Sequence, residues 1–362
     1  MRSSVTLYFD ATRTAANHGT GLCYNHGMRI AEAGEFDLIA SIAALIERRC
    51  RKRSLAWKDL IIGIGDDAAA WKNAAGLELM TTDVMVEGVH FDFSYTSWKD
   101  LGWKAMAANI SDINSMGGRP RYALVSLSVP GRHQVEDVLE MYDGMIEICN
   151  KCGTAIAGGN ISAADRVVLN VSLTGSSQGR IMTRSAARPG DSIAIFGYPG
   201  LSAAGLKALL GKVEIGGKTG LLIKAAHLRP VPDYTAGPRL TGLGVSTAID
   251  TSDGLLADLT HICRASRTGA VLQLDKLPLH PALSKYFGRK GLDLALGGGE
   301  DYGLLITANS TTLKKVIAAF KPAPTVIGEV TAGPAGKVSL LNARGREVSY
   351  RGAGWDHFKS KP

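Results

Sequence analysis

Along most of this chain, short runs rich in β-branched residues alternate with segments whose apolar residues recur at helical spacing, and that alternation restricts the fold to the α/β classes. Phe36, Ile39, Ile42, Ala43, Leu45 and Ile46 mark residues 36–49 as a helix. Strands are expected at residues 60–64, 77–82, 122–129 and 167–174, with helices at 101–116 and 135–152 separating them. A second series follows Arg188-Pro189-Gly190-Asp191. Its strands are expected at 192–197, 246–250, 270–274, 302–307 and 325–330, and its helices at 201–210, 219–227, 254–266, 281–287 and 311–320. A chain of 362 residues is too long for one ordinary core, so two α/β domains are expected, at residues 31–182 and 188–358. Periodic patterning starts only after Met28, and residues 1–30 read as a disordered extension.

No run of eighteen apolar residues occurs, which argues against a spanning helix and for a soluble protein without membrane partners, while an odd cysteine count points to a reducing cytoplasm. The net charge of +8 is scattered apart from Arg48-Arg49 and Arg51-Lys52-Arg53. That cluster reads as a solvated helix end, so no nucleic-acid partner is expected, and a basic surface also suits small anions. Five cysteines make no disulfide framework. Cys149-x-x-Cys152 has no second pair at ligand spacing and reads as buried structural thiols.

Chemistry enters through short acidic motifs set in apolar, glycine-rich surroundings: Gly65-Asp66-Asp67, Thr81-Thr82-Asp83, Ser111-Asp112, Asp250-Thr251-Ser252-Asp253-Gly254 and Gly298-Gly299-Glu300-Asp301-Tyr302. One acidic turn means little, because Asp is a common cap and turn former. Five that converge repel one another unless cations lie between them, and open arrangements of oxygen ligands are what magnesium takes. Magnesium usually bridges carboxylates to substrate phosphates, so polyphosphate chemistry is implied. The common phosphate loops are missing. Gly217-Lys218-Thr219 fails the Walker spacing, no protein-kinase motif set is present, and no Gly-x-Gly-x-x-Gly turn follows the first strand.

These motifs, together with Gly34-Glu35-Phe36, Glu87-Gly88-Val89-His90-Phe91, Asn109-Ile110-Ser111-Asp112-Ile113, Gly158-Gly159-Asn160-Ile161-Ser162, Thr183–Asp191, His227-Leu228-Arg229-Pro230 and Gly354-Trp355, resemble the thiamine-monophosphate kinases. That family lies within the aminoimidazole-ribonucleotide synthetase-like superfamily of ATP-binding enzymes. The resemblance runs over residues 30–358. It implies a two-domain fold of α+β type: an N-terminal sheet domain that binds ATP and magnesium and forms homodimers, and a C-terminal α/β domain. The implied reaction is magnesium-dependent transfer of the ATP γ-phosphoryl group to thiamine monophosphate, with no residue acting as a covalent nucleophile. Several Mg2+ ions are implied, held by Asp67, Asp83, Asp112 and Asp250, with Thr81, Thr82, Asn160 and Asp253 assisting. Tyr142, Gly159, Asn160, Arg184 and Ser252 are the implied ATP contacts, and His90, Glu300 and Trp355 the implied contacts to thiamine monophosphate. Asn160 stands where many family members carry a metal-binding Asp; its amide oxygen still coordinates but brings no charge. The alternatives are a catalytically silent nucleotide-binding paralogue and another enzyme of the superfamily.

Overall fold

The computed structural model describes residues 28–50, 54–62, 64, 70–71 and 76–350. The expected extension therefore lies outside the described residues, apart from its last three positions, as do Asp67 and Trp355. The chain divides into two compact units. The first gathers the described residues before Gly76, then Met80–Met106 and Pro120–Thr174; the second gathers Gly76–Leu79, Ala107–Arg119 and the described residues from Gly175 onward. No helix among the described residues is long and apolar enough to cross a membrane.

The first ten elements are α1 (Ile30–Arg49), α2 (Leu55–Asp59), β1 (Leu60–Ile62), β2 (Ala70–Trp71), β3 (Leu77–Val86), α3 (Trp98–Ser115), β4 (Arg119–Val129), α4 (Val135–Cys152), β5 (Ala155–Ala163) and β6 (Val168–Ser177). A four-stranded sheet runs β3-β6-β4-β5, with β4 and β5 parallel. Strand alternation divides its two faces. Met85, Val125, Leu127, Leu169, Val171 and Leu173 are buried on one, whereas Met80, Val84 and Leu124 are 71%, 44% and 38% exposed on the other. The helix α4 buries Val138, Met141, Met145 and Ile148 at helical spacing and ends at Gly153 in the left-handed conformation that glycine supplies without strain. Cys149 is buried on this helix, and burial pushes its thiol well above its ordinary range, in keeping with a structural role.

The strand β5 has no counterpart among the expected strands because Gly158-Gly159 interrupts the apolar pattern. The backbone explains the glycine: a Cβ on Gly159 would lie 2.0 Å from the carbonyl oxygen of Val125 on β4. Strand β3 is longer than expected and carries Asp83 within it.

In the second unit, β7 (Ser192–Ile195), α5 (Leu201–Leu209), α6 (Gly217–Leu228), α7 (Ala236–Gly242), β8 (Thr247–Asp250), α8 (Leu255–Ser266), β9 (Gly269–Gln273), α9 (Pro281–Phe287), α10 (Lys290–Gly297), β10 (Leu304–Ala308), α11 (Ser310–Ala319), β11 (Thr325–Thr331), β12 (Val338–Leu341) and β13 (Glu347–Val348) follow in order. The sheet order is β13-β12-β9-β11-β7-β10-β8, antiparallel except between β9 and β12. Both faces are covered. Ile193, Ile195, Ile249 and Leu305 pack with Leu255, Leu259 and Ile262 of α8, whereas the alternating Ala194, Ala248, Leu304 and Ile306 pack with Leu240 of α7, Leu313 and Val316 of α11, and Phe320 just beyond it. That double coverage is why β7 and β10 read as continuous apolar runs.

Glycines set the contact between α3 and α4. A Cβ on Gly102 would lie 1.9 Å from the Met141 carbonyl oxygen, and one on Gly144 1.9 Å from that of Lys99. No side chain fits without the helices moving apart. Gly144→Ala is expected to destabilise the protein by about 3 kcal/mol through overpacking, read as a lowered urea midpoint at unchanged slope. An unaltered midpoint contradicts the close crossing.

Candidate functional site

In the first unit the strand period separates residues that are adjacent in sequence. On β3, Thr81 and Asp83 lie on the face of Met85, half-buried, while Thr82 lies on the open face. The Thr82 hydroxyl meets Asn170 Oδ1 at 3.2 Å and Ser172 Oγ at 3.1 Å on the neighbouring β6. Asn160 shares that open face: it is exposed on β5, in register with Ser126 of β4, and next to it Ser128 and Ser162 hydroxyls approach to 3.0 Å. Thr82 and Asn160 thus share one face of the sheet, and Thr81 and Asp83 the other. Tyr142 is buried on α4, and burial pushes its phenol above the ordinary range.

After β3 the chain turns at Glu87–His90, where Gly88 has φ 80°. The Glu87 carboxylate accepts from Val167 N–H at 2.8 Å, and His90 Nδ1 accepts from Val86 N–H at 3.0 Å. In the neutral ring that bond leaves the proton on Nε2, so His90 presents a donor at its outer nitrogen.

The second unit collects Asp112, Arg184, Asp250, Ser252, Asp253 and Glu300. Asp112 is half-buried in the last turns of α3, and Arg184 is exposed. Asp250 ends β8 and is buried; Thr251 N–H donates to Gly303 C=O at 2.9 Å, and Gly303 N–H donates back to Thr251 Oγ1 at 3.0 Å. Gly254 enters α8 at φ 110°, where a Cβ would meet the Gly297 backbone at 2.9 Å. The turn Gly298–Gly303 presses on this loop. Glu300 N–H donates to Ser252 C=O at 2.8 Å and Tyr302 N–H to Thr251 C=O at 2.9 Å, while a Cβ on Gly299 would sit 2.4 Å from Ser252 O. The loop bearing Asp250, Ser252 and Asp253 and the turn bearing Glu300 are therefore one hydrogen-bonded piece. Asp301 accepts from Gly200 N–H at 2.5 Å and Ser202 N–H at 2.9 Å, and burial pushes its carboxyl up to about 7.

Asp258 is absent from the expected set. It lies in the first turn of α8, 1% exposed, and burial, then the charges of Asp250 and Asp253, push its carboxyl up to about 8. A signal was present: Leu255, Asp258, Leu259 and Ile262 share one helical face, so an acid occupies a core position.

The AIR synthase related protein N-terminal domain matches residues 65–177 and its C-terminal domain residues 188–340. Thiamine-monophosphate kinase of Bacillus subtilis (strain 168) is 36% identical over 335 residues, covering 90% of this chain and 99% of that one. The chain belongs to the thiamine-monophosphate kinase family. The crystal structure of thiamine-monophosphate kinase from Stenotrophomonas maltophilia K279a superposes with a TM-score of 0.74 at 32% identity, covering 85% of this chain and 96% of that one. AaThiL complexed with AMPPCP and TMP gives a TM-score of 0.69 at 32% identity, covering 92% of this chain and 100% of that chain. The two-domain fold that the motifs imply is the one observed.

Magnesium, which the family resemblance implies, can be tested against the residues present. Asp83, Asp112, Asp250 and Asp253 supply hard oxygen donors. Asp258 Oδ2 is buried without a hydrogen-bond partner among the described residues, beside the charges of Asp250 and Asp253, a concentration of like charge that a divalent cation relieves. Among the described residues no three His, Cys, Asp or Glu are grouped as a ready ligand set, and Asp67 lies outside them. The donor chemistry fits the ion. One consequence is measurable without turnover. The Asp258 carboxyl holds its proton up to about 8 in the folded protein against 3.8 ordinarily, so the folded state binds the extra proton. Metal-free stability should therefore fall as pH rises from about 4 to about 8, with Asp301 acting in the same sense. In thermal melts in EDTA, Asp258→Asn should flatten that slope; an unchanged slope clears Asp258 of it.

Proposed function

We propose that the chain catalyses transfer of the γ-phosphoryl group of ATP to the phosphate of thiamine monophosphate, giving thiamine diphosphate and ADP in the cytoplasm. The observation that carries this reading is near end-to-end membership of the thiamine-monophosphate kinase family, with the acidic motifs of both units in family order. AaThiL, complexed with AMPPCP and TMP, supports the pairing of nucleotide and acceptor. The domains are read as residues 31–182 for ATP, magnesium and dimerisation and 188–358 for the C-terminal domain.

An oxygen of the acceptor phosphate attacks the γ-phosphorus as the bond to the β-γ bridging oxygen breaks. Two anions must meet for this, so positioning and charge neutralisation dominate and no phosphoenzyme is required. Several Mg2+ ions are proposed, held by Asp67, Asp83, Asp112 and Asp250 with Thr81 and Asp253, and by Thr82 and Asn160 on the other face of the sheet; when bound they would supply positive charge against the phosphates. Arg184 and Ser252 are proposed to contact ATP, with Gly159, Asn160 and Tyr142. His90 presents its Nε2–H, and with Glu300 and Trp355 is proposed to face thiamine monophosphate.

Homodimerisation is proposed through the open face of the four-stranded sheet, where the exposed Met80, Val84 and Leu124 stand among the polar Thr82, Asn170 and Ser172. Met80→Glu should then shift the protein from dimer to monomer in light scattering, and a mass unchanged from the parent protein argues against this face. For the reaction, Asp83→Asn and Asp250→Asn should each lower thiamine diphosphate formation by about a hundredfold or more with the circular dichroism spectrum intact, because the phosphates lose part of their neutralisation. Full activity in either variant at limiting magnesium contradicts the assignment. Release of inorganic phosphate without thiamine diphosphate contradicts the reaction itself.

A further inference from the structure

His227 has no role in the reaction described so far, yet it is 2% exposed and stands beside the proposed acceptor residue. Its Nδ1 lies 3.1 Å from Ser202 Oγ and 3.5 Å from Glu300 Oε2. A proton on Nδ1 is the tautomer that meets the Glu300 carboxylate favourably, the opposite of that of His90. The imidazole has little freedom to move. A Cβ on Gly205 of α5 would lie 2.1 Å from Ile223 O and 3.1 Å from His227 Cβ on α6, so the two helices meet at backbone distance directly under the ring. Ser202 is fixed as well, because its N–H donates to Asp301 in the same turn that carries Glu300.

We infer that Ser202 and His227 form a buried positioning pair that fixes the Glu300 carboxylate, and that Glu300 so held recognises the cationic heterocyclic end of the acceptor rather than its phosphate. The inference rests on the kinase reading above. Its chemistry follows from sign: a carboxylate beside a phosphate repels it, whereas the thiazolium ring of thiamine monophosphate carries positive charge. Glu300 sits on backbone at φ 63° with its N–H tied to Ser252, so its main chain is held, and His227 meets its side chain.

Steady-state kinetics on the full chain test this. His227→Ala should raise the KM for thiamine monophosphate about fivefold, as loss of a 3.5 Å polar contact to a partly exposed carboxylate predicts, with the KM for ATP unchanged. His227→Asn, whose amide nitrogen can stand near the Nδ1 position, should restore most of the difference. Thiamine, which has the heterocycle but no phosphate, should lose inhibitory potency by the same factor as the KM rises. Combining His227→Ala with Glu300→Gln should raise that KM no further than Glu300→Gln alone. Equal rises in both KM values, additive effects in the double variant, or unchanged inhibition by thiamine overturn the inference. If His227→Ala does not fold, Ser202→Ala and His227→Asn decide it, and a KM for thiamine monophosphate unchanged in Ser202→Ala counts against it. Parent protein that makes no thiamine diphosphate overturns the kinase reading instead.

Discussion

The turn at Gly298–Gly303 depends on burying one carboxylate. Asp301 turns its carboxyl oxygens to the N–H groups of Gly200 and Ser202 at the entrance of α5, satisfying two of the donors that a helix start leaves without partners. With that anchor in place, Glu300 and Tyr302 on either side accept left-handed backbone, at φ 63° and 50°. Such conformations cost roughly 1 kcal/mol or more each outside glycine and persist only where surrounding contacts over-determine them. The surrounding contacts are the two hydrogen bonds from the turn to Thr251 and Ser252. An acidic loop at the end of β8 and an acidic turn before β10 are thereby held together, although about fifty residues separate them in sequence.

Much of the architecture was legible because two-sided and one-sided burial leave different signatures. The continuous apolar run of β10 and the helical spacing of α4 could each be read with their type and nearly their ends. Three of the elements that escaped notice share a physical reason: contacts between backbones demand glycine, and glycine erases the pattern. Strand β5 is hidden by Gly158-Gly159, which the approach of Val125 requires. Helices α7 and α10 are short, and glycines lie within or beside them, at Gly237, Gly242, Gly291 and Gly297.

The candidate residues were legible as motifs more than as geometry. Thr81-Thr82-Asp83 looks like one ligand cluster in sequence, but the period of a strand sends Thr82 to the opposite face. Asp258 stayed out of sight because it belongs to no turn; it occupies a core position on a helix, and only its proximity to Asp250 and Asp253 gives it meaning. Ser202 and His227 lie 25 residues apart, and no periodicity links a serine on one helix with a histidine on the next.

The way Glu300 is mounted bears on how such an enzyme diversifies. Its turn is secured by main-chain bonds and by the carboxylate of its neighbour, so the conformation there owes little to which side chain position 300 carries. Exchange of that residue should leave the scaffold standing while altering what the pocket accepts, with β-branched residues disfavoured by the positive φ. Drift in acceptor choice among relatives can in this way proceed one codon at a time, without passing through unfolded intermediates in evolution.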